Sequence, residues 1–293
     1  MENKHISNTF HSKQLKIIQL LSSQMAISIE NARLIEVIKE KERFRQEIVI
    51  AEHIQTSLLP ITRENKEFEI SGEIKPAAEV GGDYYDIIYD SQNKLWLAIG
   101  DVSGHGLTPG LIMMMAETSF NTIIKTPRLD STPKDAITEV NNILYENINE
   151  RLKELYFMTM VFLKYEGAGI FKYAGLHLDF FVYRAKTNTF DTYKTDGCTI
   201  GIVPDIKDIT YNMEVFVDVG DILILFTDGI TESSKHQDGK RIFFGMENLE
   251  KTIKDNIDKS LETIKNQIIT NALQWCDYKQ KDDMTILLLK RLV

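Results

Sequence analysis

Cysteine is nearly absent from this chain: Cys198 and Cys276 are the two present, they form no CxxC pair, and they are too few for a disulfide framework. Long apolar runs are missing too. No stretch approaches the ~20 residues of a membrane span, and the N-terminus lacks the apolar core of a signal peptide. Positive charge is in deficit, with 34 Lys and Arg against 43 Asp and Glu for a net charge of −9. An acidic chain without a basic cluster is a poor partner for nucleic acid, which is bound by neutralising phosphates. A membrane-free, nucleic-acid-free protein of the cytoplasm is the expectation. No Gly-rich P-loop and no CxxxxxR nucleophile motif occur, which excludes two common routes for handling phosphate.

Glycine and proline are both lacking from residue 12 to Leu59, where Pro60 ends the run. That span reads as one long helix or two abutting ones. On a heptad, one seam row holds Leu20, Ile27, Leu34, Lys41, Ile48 and Gln55, and the other Ser23, Glu30, Val37, Phe44, Ala51 and Leu58. Four of six are apolar in each row, the pattern of an interrupted coiled coil. Leu20, Ile27, Leu34, Val37, Phe44 and Ile48 are the expected seam of a homodimer. A long helix lying on its own domain is the alternative.

What is present after Pro60 is different. Runs rich in β-branched and aromatic residues recur at 68–74, 84–89, 95–99, 157–165, 169–174, 180–184, 213–217, 222–226 and 285–289. Turn residues separate most of them, so antiparallel sheets are expected. Thr108-Pro109 reads as an N-cap and first helical residue, opening a helix to about Ile124. Thr132-Pro133-Lys134-Asp135 has the form of a capping box leading into Ile137, Val140, Leu144 and Ile148. Two more helices are expected at 246–257 and 261–275. Two sheets flanked by helix pairs make an α+β sandwich, preceded by the long helix.

Acidic residues sit where these strands begin or end. Leu95-Trp96-Leu97-Ala98-Ile99-Gly100-Asp101 and Ile222-Leu223-Ile224-Leu225-Phe226-Thr227-Asp228-Gly229 are core-like strands running into an aspartate. Gly81-Gly82-Asp83 and Asp282-Asp283 each precede a strand. A lone Asp-Gly there is usually a turn. Four such positions on a shared rim would be mutually repulsive carboxylates, tolerable when a cation neutralises them. All-oxygen donors without His or Cys suit Mg²⁺ or Mn²⁺, and a pair of such ions can activate water for in-line attack on phosphorus.

Gly81-Gly82-Asp83-Tyr84-Tyr85-Asp86, Gly100-Asp101-Val102-Ser103-Gly104-His105-Gly106, Phe226-Thr227-Asp228-Gly229-Ile230-Thr231-Glu232 and Asp282-Asp283-Met284-Thr285 resemble, in content, order and spacing, the motifs of bacterial PPM-type protein phosphatases of the SpoIIE/RsbU-like branch. The resemblance implies an αββα sandwich and two divalent cations, Mn or Mg. It implies that Asp101 bridges the ions, that the Val102 carbonyl binds one of them, and that Asp83, Asp228 and Asp282 complete the set, with Asp101 and Asp228 central to catalysis. Asp283, Gly104, His105 and Gly229 are supporting positions; His105 is either a proton donor or a loop residue.

The same resemblance makes the substrate a phosphoserine or phosphothreonine on a regulatory protein, a STAS-type anti-sigma-factor antagonist. A catalytically silent binding module of the same fold is the rival. Residues 22–34 are similar to the last helix of GAF sensor domains, so 1–59 is expected to be a helical linker left from such a domain and 60–293 the phosphatase. Two departures stand out. Tyr173-Ala174-Gly175-Leu176 replaces a common Asn-Ala-Gly-His, with His177 one place later. The phosphate-binding arginine of eukaryotic relatives has no counterpart. Met113-Met114-Met115, Trp96, Trp275 and both cysteines read as packing residues.

Overall fold

The computed structural model describes residues 12–60, 65–127, 131–237 and 239–293; the first eleven residues of the expected linker lie outside them. The chain divides into two compact units, Met1–Ile50 and Ala51–Val293. Helix α1, Ser12–Leu58, runs without a break as its lack of Gly and Pro requires. In the first unit Leu20, Ile27, Leu34, Val37 and Phe44 are exposed and Ile48 is half-buried. No described helix is long and apolar enough to cross a membrane.

The second unit is an αββα sandwich. One sheet has the order β1 (Phe68–Lys75), β12 (Met284–Arg291), β9 (Ile222–Phe226), β6 (Phe180–Arg184) and β7 (Thr189–Tyr193). The other has the order β2 (Asp83–Tyr89), β3 (Leu95–Val102), β4 (Met158–Gly167), β5 (Ile170–Leu176) and β8 (Met213–Phe216). Every neighbouring pair is antiparallel. Helices α2 (Leu107–Lys125) and α3 (Pro133–Tyr145) cover the second sheet, and α5 (Gly245–Lys254) and α6 (Leu261–Trp275) cover the first.

Side-chain alternation explains why the central strands are apolar along most of their length. In β3, Leu95, Leu97 and Ile99 point into the core between the sheets, while Trp96 and Ala98 point to α2 and α3. In β12, Leu287 and Leu289 face the other sheet and Ile286 and Leu288 face α6. Each buried Leu or Ile of this kind contributes about 1.5–3 kcal/mol. A slip of one residue would exchange the two cores, so the register is strongly specified.

The helix starts differ from expectation at one place. Thr132 caps α3 with a full capping box, and Ile137, Val140, Leu144 and Ile148 are all fully buried. Helix α2 begins at Leu107 instead of at Thr108-Pro109: Gly106, at φ 96°, makes the turn, and Thr108 lies exposed inside the first turn. Beyond Tyr145 the chain widens into a π-helical turn, Glu146–Leu152, that periodicity did not signal. Trp96 is buried as expected, whereas Trp275 and Cys198 are only half-buried.

His177 ties the two sheets together. It is buried, with Nε2 3.1 Å from the Phe226 carbonyl oxygen and Nδ1 2.9 Å from Thr159 Oγ1. A carbonyl only accepts, so Nε2 carries the proton and Nδ1 accepts from the threonine hydroxyl. Burial pushes its pKa from 6.5 down to about 4, partly offset by the Phe226 bond. A base neutral in the fold and protonated when unfolded adds stability that is complete above pH 6.5 and lost as pH falls toward 4. The stability difference between wild type and His177→Gln, from urea unfolding, should therefore shrink by about 3 kcal/mol between pH 7 and pH 4. A pH-independent difference would show that His177 is not held neutral.

Candidate metal centre at the strand ends

The β2–β3 register sets Asp83 directly opposite Asp101, so both carboxylates leave the same face of the sheet. Like charges in that position destabilise a sheet. Burial comes first among the causes that raise Asp83 well above the usual carboxylate range, followed by the charge of Asp101. Asp101 is raised to about 7, again by burial first and then by Asp228, Asp282 and Asp283. Asp228 and Asp282 are raised as well, with burial leading in both. Asp83, Asp101, Asp228, Asp282 and Asp283 therefore feel one another's charge across the ends of both sheets.

Neutral hydroxyls hold part of this charge in place. Thr227 Oγ1 and Thr285 Oγ1 donate to Asp83 Oδ2 at 2.7 and 2.6 Å, reaching it from the opposite sheet. Thr285 N–H in turn donates to Thr227 Oγ1 at 2.9 Å. One oxygen of Asp83 is thus occupied by protein donors. Neither threonine stood out in the sequence, because its partner lies more than a hundred residues away.

Asp283 has a different task. Its Oδ1 accepts from Ala77 N–H at 2.7 Å, and its Oδ2 accepts from Gly82 N–H at 2.7 Å and Asp83 N–H at 3.5 Å. It clamps the loop that delivers Asp83. Glycine is required on both sides of this clamp. A Cβ at Gly81 would lie 2.6 Å from Asp283 Oδ2, and one at Gly229 would overlap the Asp283 carbonyl oxygen. His105 lies exposed between Gly104 and Gly106, both at positive φ, and near enough to Asp282 to offset part of the rise that burial gives that carboxylate.

The sequence pattern missed a buried residue of the loop's support. Gln55, on one of the two heptad rows, turns instead to the Asp83 loop of its own unit: Nε2 donates to Gly81 O at 2.7 Å, and Gly81 N–H donates to Oε1 at 3.1 Å. Both backbone groups of Gly81 are satisfied by one amide. A polar, uncharged residue in a row of apolar ones was the available signal.

These donors fit a hard divalent cation in chemistry: all oxygen, crowded, and raised in pKa in a way that a cation would relieve. Among the described residues no three His, Cys, Asp or Glu side chains already stand close enough to hold one ion. Side-chain rotation about a fixed backbone would be needed to close the set.

Comparison with known proteins agrees with the geometry. The sequence profile of the family Stage II sporulation protein E (SpoIIE) matches residues 91–292. Phosphoserine phosphatase RsbU of Bacillus subtilis (strain 168) is 28% identical over 256 residues, spanning 86% of this chain and 72% of RsbU. The SiaA-PP2C domain of Pseudomonas aeruginosa superposes with a TM-score of 0.71 at 20% identity, over 86% of this chain and 98% of that one. The PP2C phosphatase domain of SpoIIE from Bacillus subtilis superposes with a TM-score of 0.58 at 20% identity, over 77% of this chain and 64% of that one. The chain belongs to the SpoIIE family, and its αββα unit is a PP2C-type serine/threonine phosphatase domain.

Proposed function

We propose that the protein hydrolyses phosphoserine or phosphothreonine on a regulatory protein, of the STAS-type anti-sigma-factor antagonist class, in a reaction dependent on Mn²⁺ or Mg²⁺. The observation that carries this reading is the convergence of Asp83, Asp101, Asp228 and Asp282 on one rim with their pKa values raised. The similarity to a protein named phosphoserine phosphatase supports the substrate class.

Asp101, Asp83, Asp228, Asp282 and the Val102 carbonyl are the residues to hold the cations. Bound there, the cations would neutralise the carboxylates and lower the pKa of a water enough for it to act as nucleophile. The chain's own residues do the rest. Thr227 and Thr285 fix the orientation of Asp83, and Asp283 fixes its loop. Water attacks phosphorus in line, the bond to the serine or threonine oxygen breaks, and that oxygen takes up a proton. His105, exposed at the rim, is placed to assist that protonation.

Regulation enters through α1. Its exposed apolar row, Leu20, Ile27, Leu34, Val37 and Phe44, continued by half-buried Ile48, suits a homodimeric coiled coil. Gln55 on the same helix holds Gly81. Order in the helix is thereby coupled to the loop carrying Asp83.

Phosphate release from para-nitrophenyl phosphate should require Mn²⁺ and be abolished by EDTA, and Asp228→Asn should lower it by at least about 100-fold. Turnover that survives both EDTA and Asp228→Asn would refute the metal-dependent mechanism. No turnover and no Mn²⁺ binding by calorimetry would favour a silent binding module. Gln55→Ala should weaken Mn²⁺ binding by about 10–100-fold, as loss of a ligand's supporting bond does. Ile27→Glu with Leu34→Glu should shift the chain toward monomer in analytical ultracentrifugation and alter its turnover; an unchanged mass and rate would exclude the coupling.

A further inference from the structure

Beside the carboxylate rim lies a cavity of about 70 Å³, where roughly 10–15 Å³ suffices for one water. Asp282 and Gly229 of the rim form one wall, and a β-hairpin forms the other, β10 (Ser234–Gln237) with β11 (Lys240–Phe243). Arg241, Lys279 and Lys281 line it together with the carboxylates of Glu232 and Asp282. Three cations against two carboxylates leave this space net positive in a chain of net charge −9. Among the described residues none of the three forms an ion pair.

The cavity is held open by fixed groups. Arg241 Nε donates to Ser234 Oγ at 2.8 Å and the guanidinium lies 4.5 Å from the Phe243 ring centroid, which leaves its terminal N–H groups available. Ser233, buried at the hairpin's base, donates from Oγ to Gly229 O at 2.8 Å, and its backbone carbonyl oxygen accepts from Phe244 N–H at 2.7 Å. Trp275 of α6 donates from Nε1 to Ile242 O at 3.1 Å, and Lys235 Nζ lies 3.9 Å from its ring centroid. The hairpin is thus fastened both to the rim and to α6.

We propose that Arg241, Lys279 and Lys281 form a specificity pocket for an acidic side chain flanking the phosphorylated serine or threonine. The inference rests on the phosphatase reading above and names the substrate feature it selects. A phosphoryl group on the carboxylate rim brings the residues beside it to this wall, and the pocket offers them cations that form no ion pair among the described residues. Guanidinium and ammonium donors form strong charge-assisted bonds to carboxylate. The occupant is a carboxylate from the substrate's flanking sequence: the rim takes the phosphoryl group, and Arg241, Lys279 and Lys281 line the space beside it.

The test compares phosphoserine peptides flanked by Asp, Asn or Lys, with para-nitrophenyl phosphate as the reference, using the full chain. Wild type should show a higher kcat/KM for the Asp-flanked than for the Asn-flanked peptide, falling with added salt. In the Arg241→Gln, Lys279→Gln, Lys281→Gln chain that ratio should drop about tenfold. Lys279→Glu with Lys281→Glu should turn the preference toward the Lys-flanked peptide, a gain that misfolding cannot produce. An unchanged ratio, or equal losses on every substrate, would overturn the pocket. Fluorescence anisotropy of the same peptides in EDTA separates the two readings. Acid-selective binding that the cations control, without phosphate release by wild type under Mn²⁺, would keep the pocket and refute the phosphatase reading.

Discussion

The carboxylate of Asp283 is the constraint on which the site depends. It accepts backbone N–H groups from Ala77, Gly82 and Asp83, so the last strand of one sheet holds the first loop of the other. Within the β2–β3 ladder two aspartates facing each other are unfavourable. The repulsion between Asp83 and Asp101 is local, whereas the register that enforces it is set by the apolar strands behind them. Stability invested in two cores is what keeps an electrostatically unfavourable rim in place.

That rim is reached by structure from both ends of the chain. Thr227 and Thr285 reach Asp83 across the sheets, His177 links Phe226 to Thr159, and Gln55 secures Gly81. Each is a polar group buried with its partners satisfied, the condition under which burial stabilises a single arrangement. The amide of Gln55 is the contact through which a change in the last turns of α1 would be felt at Asp83. The hairpin, by contrast, carries mostly exposed residues and is fastened through Trp275 and Ser233, which presents charge beside the carboxylate rim.

Much of this was legible beforehand. The central strands announced themselves because both faces are buried, which makes most of their residues apolar, and the aspartates stood out because they interrupt such runs at the ends. The capping box at Thr132 is local chemistry and was readable for that reason. Strand β7 and the β10–β11 hairpin were not, since their exposed residues lack a hydrophobic period. The start of α2 was misplaced because Thr108-Pro109 imitates a cap, while Gly106 makes the turn in a conformation that a pattern of side chains does not display.

Residue order was enough for the helix before Pro60, the antiparallel αββα plan, and the position of the aspartates at strand ends, because these follow from local periodicity and from motifs whose order survives along the chain. Only the tertiary structure decided that Asp83 faces Asp101, that Asp283 clamps backbone, that Gln55 binds Gly81 when a seam row would have it face a partner helix, and that Arg241 meets Lys279 and Lys281. Those are pairings between residues distant in the chain, and their energy depends on separation in space, which residue order alone does not contain.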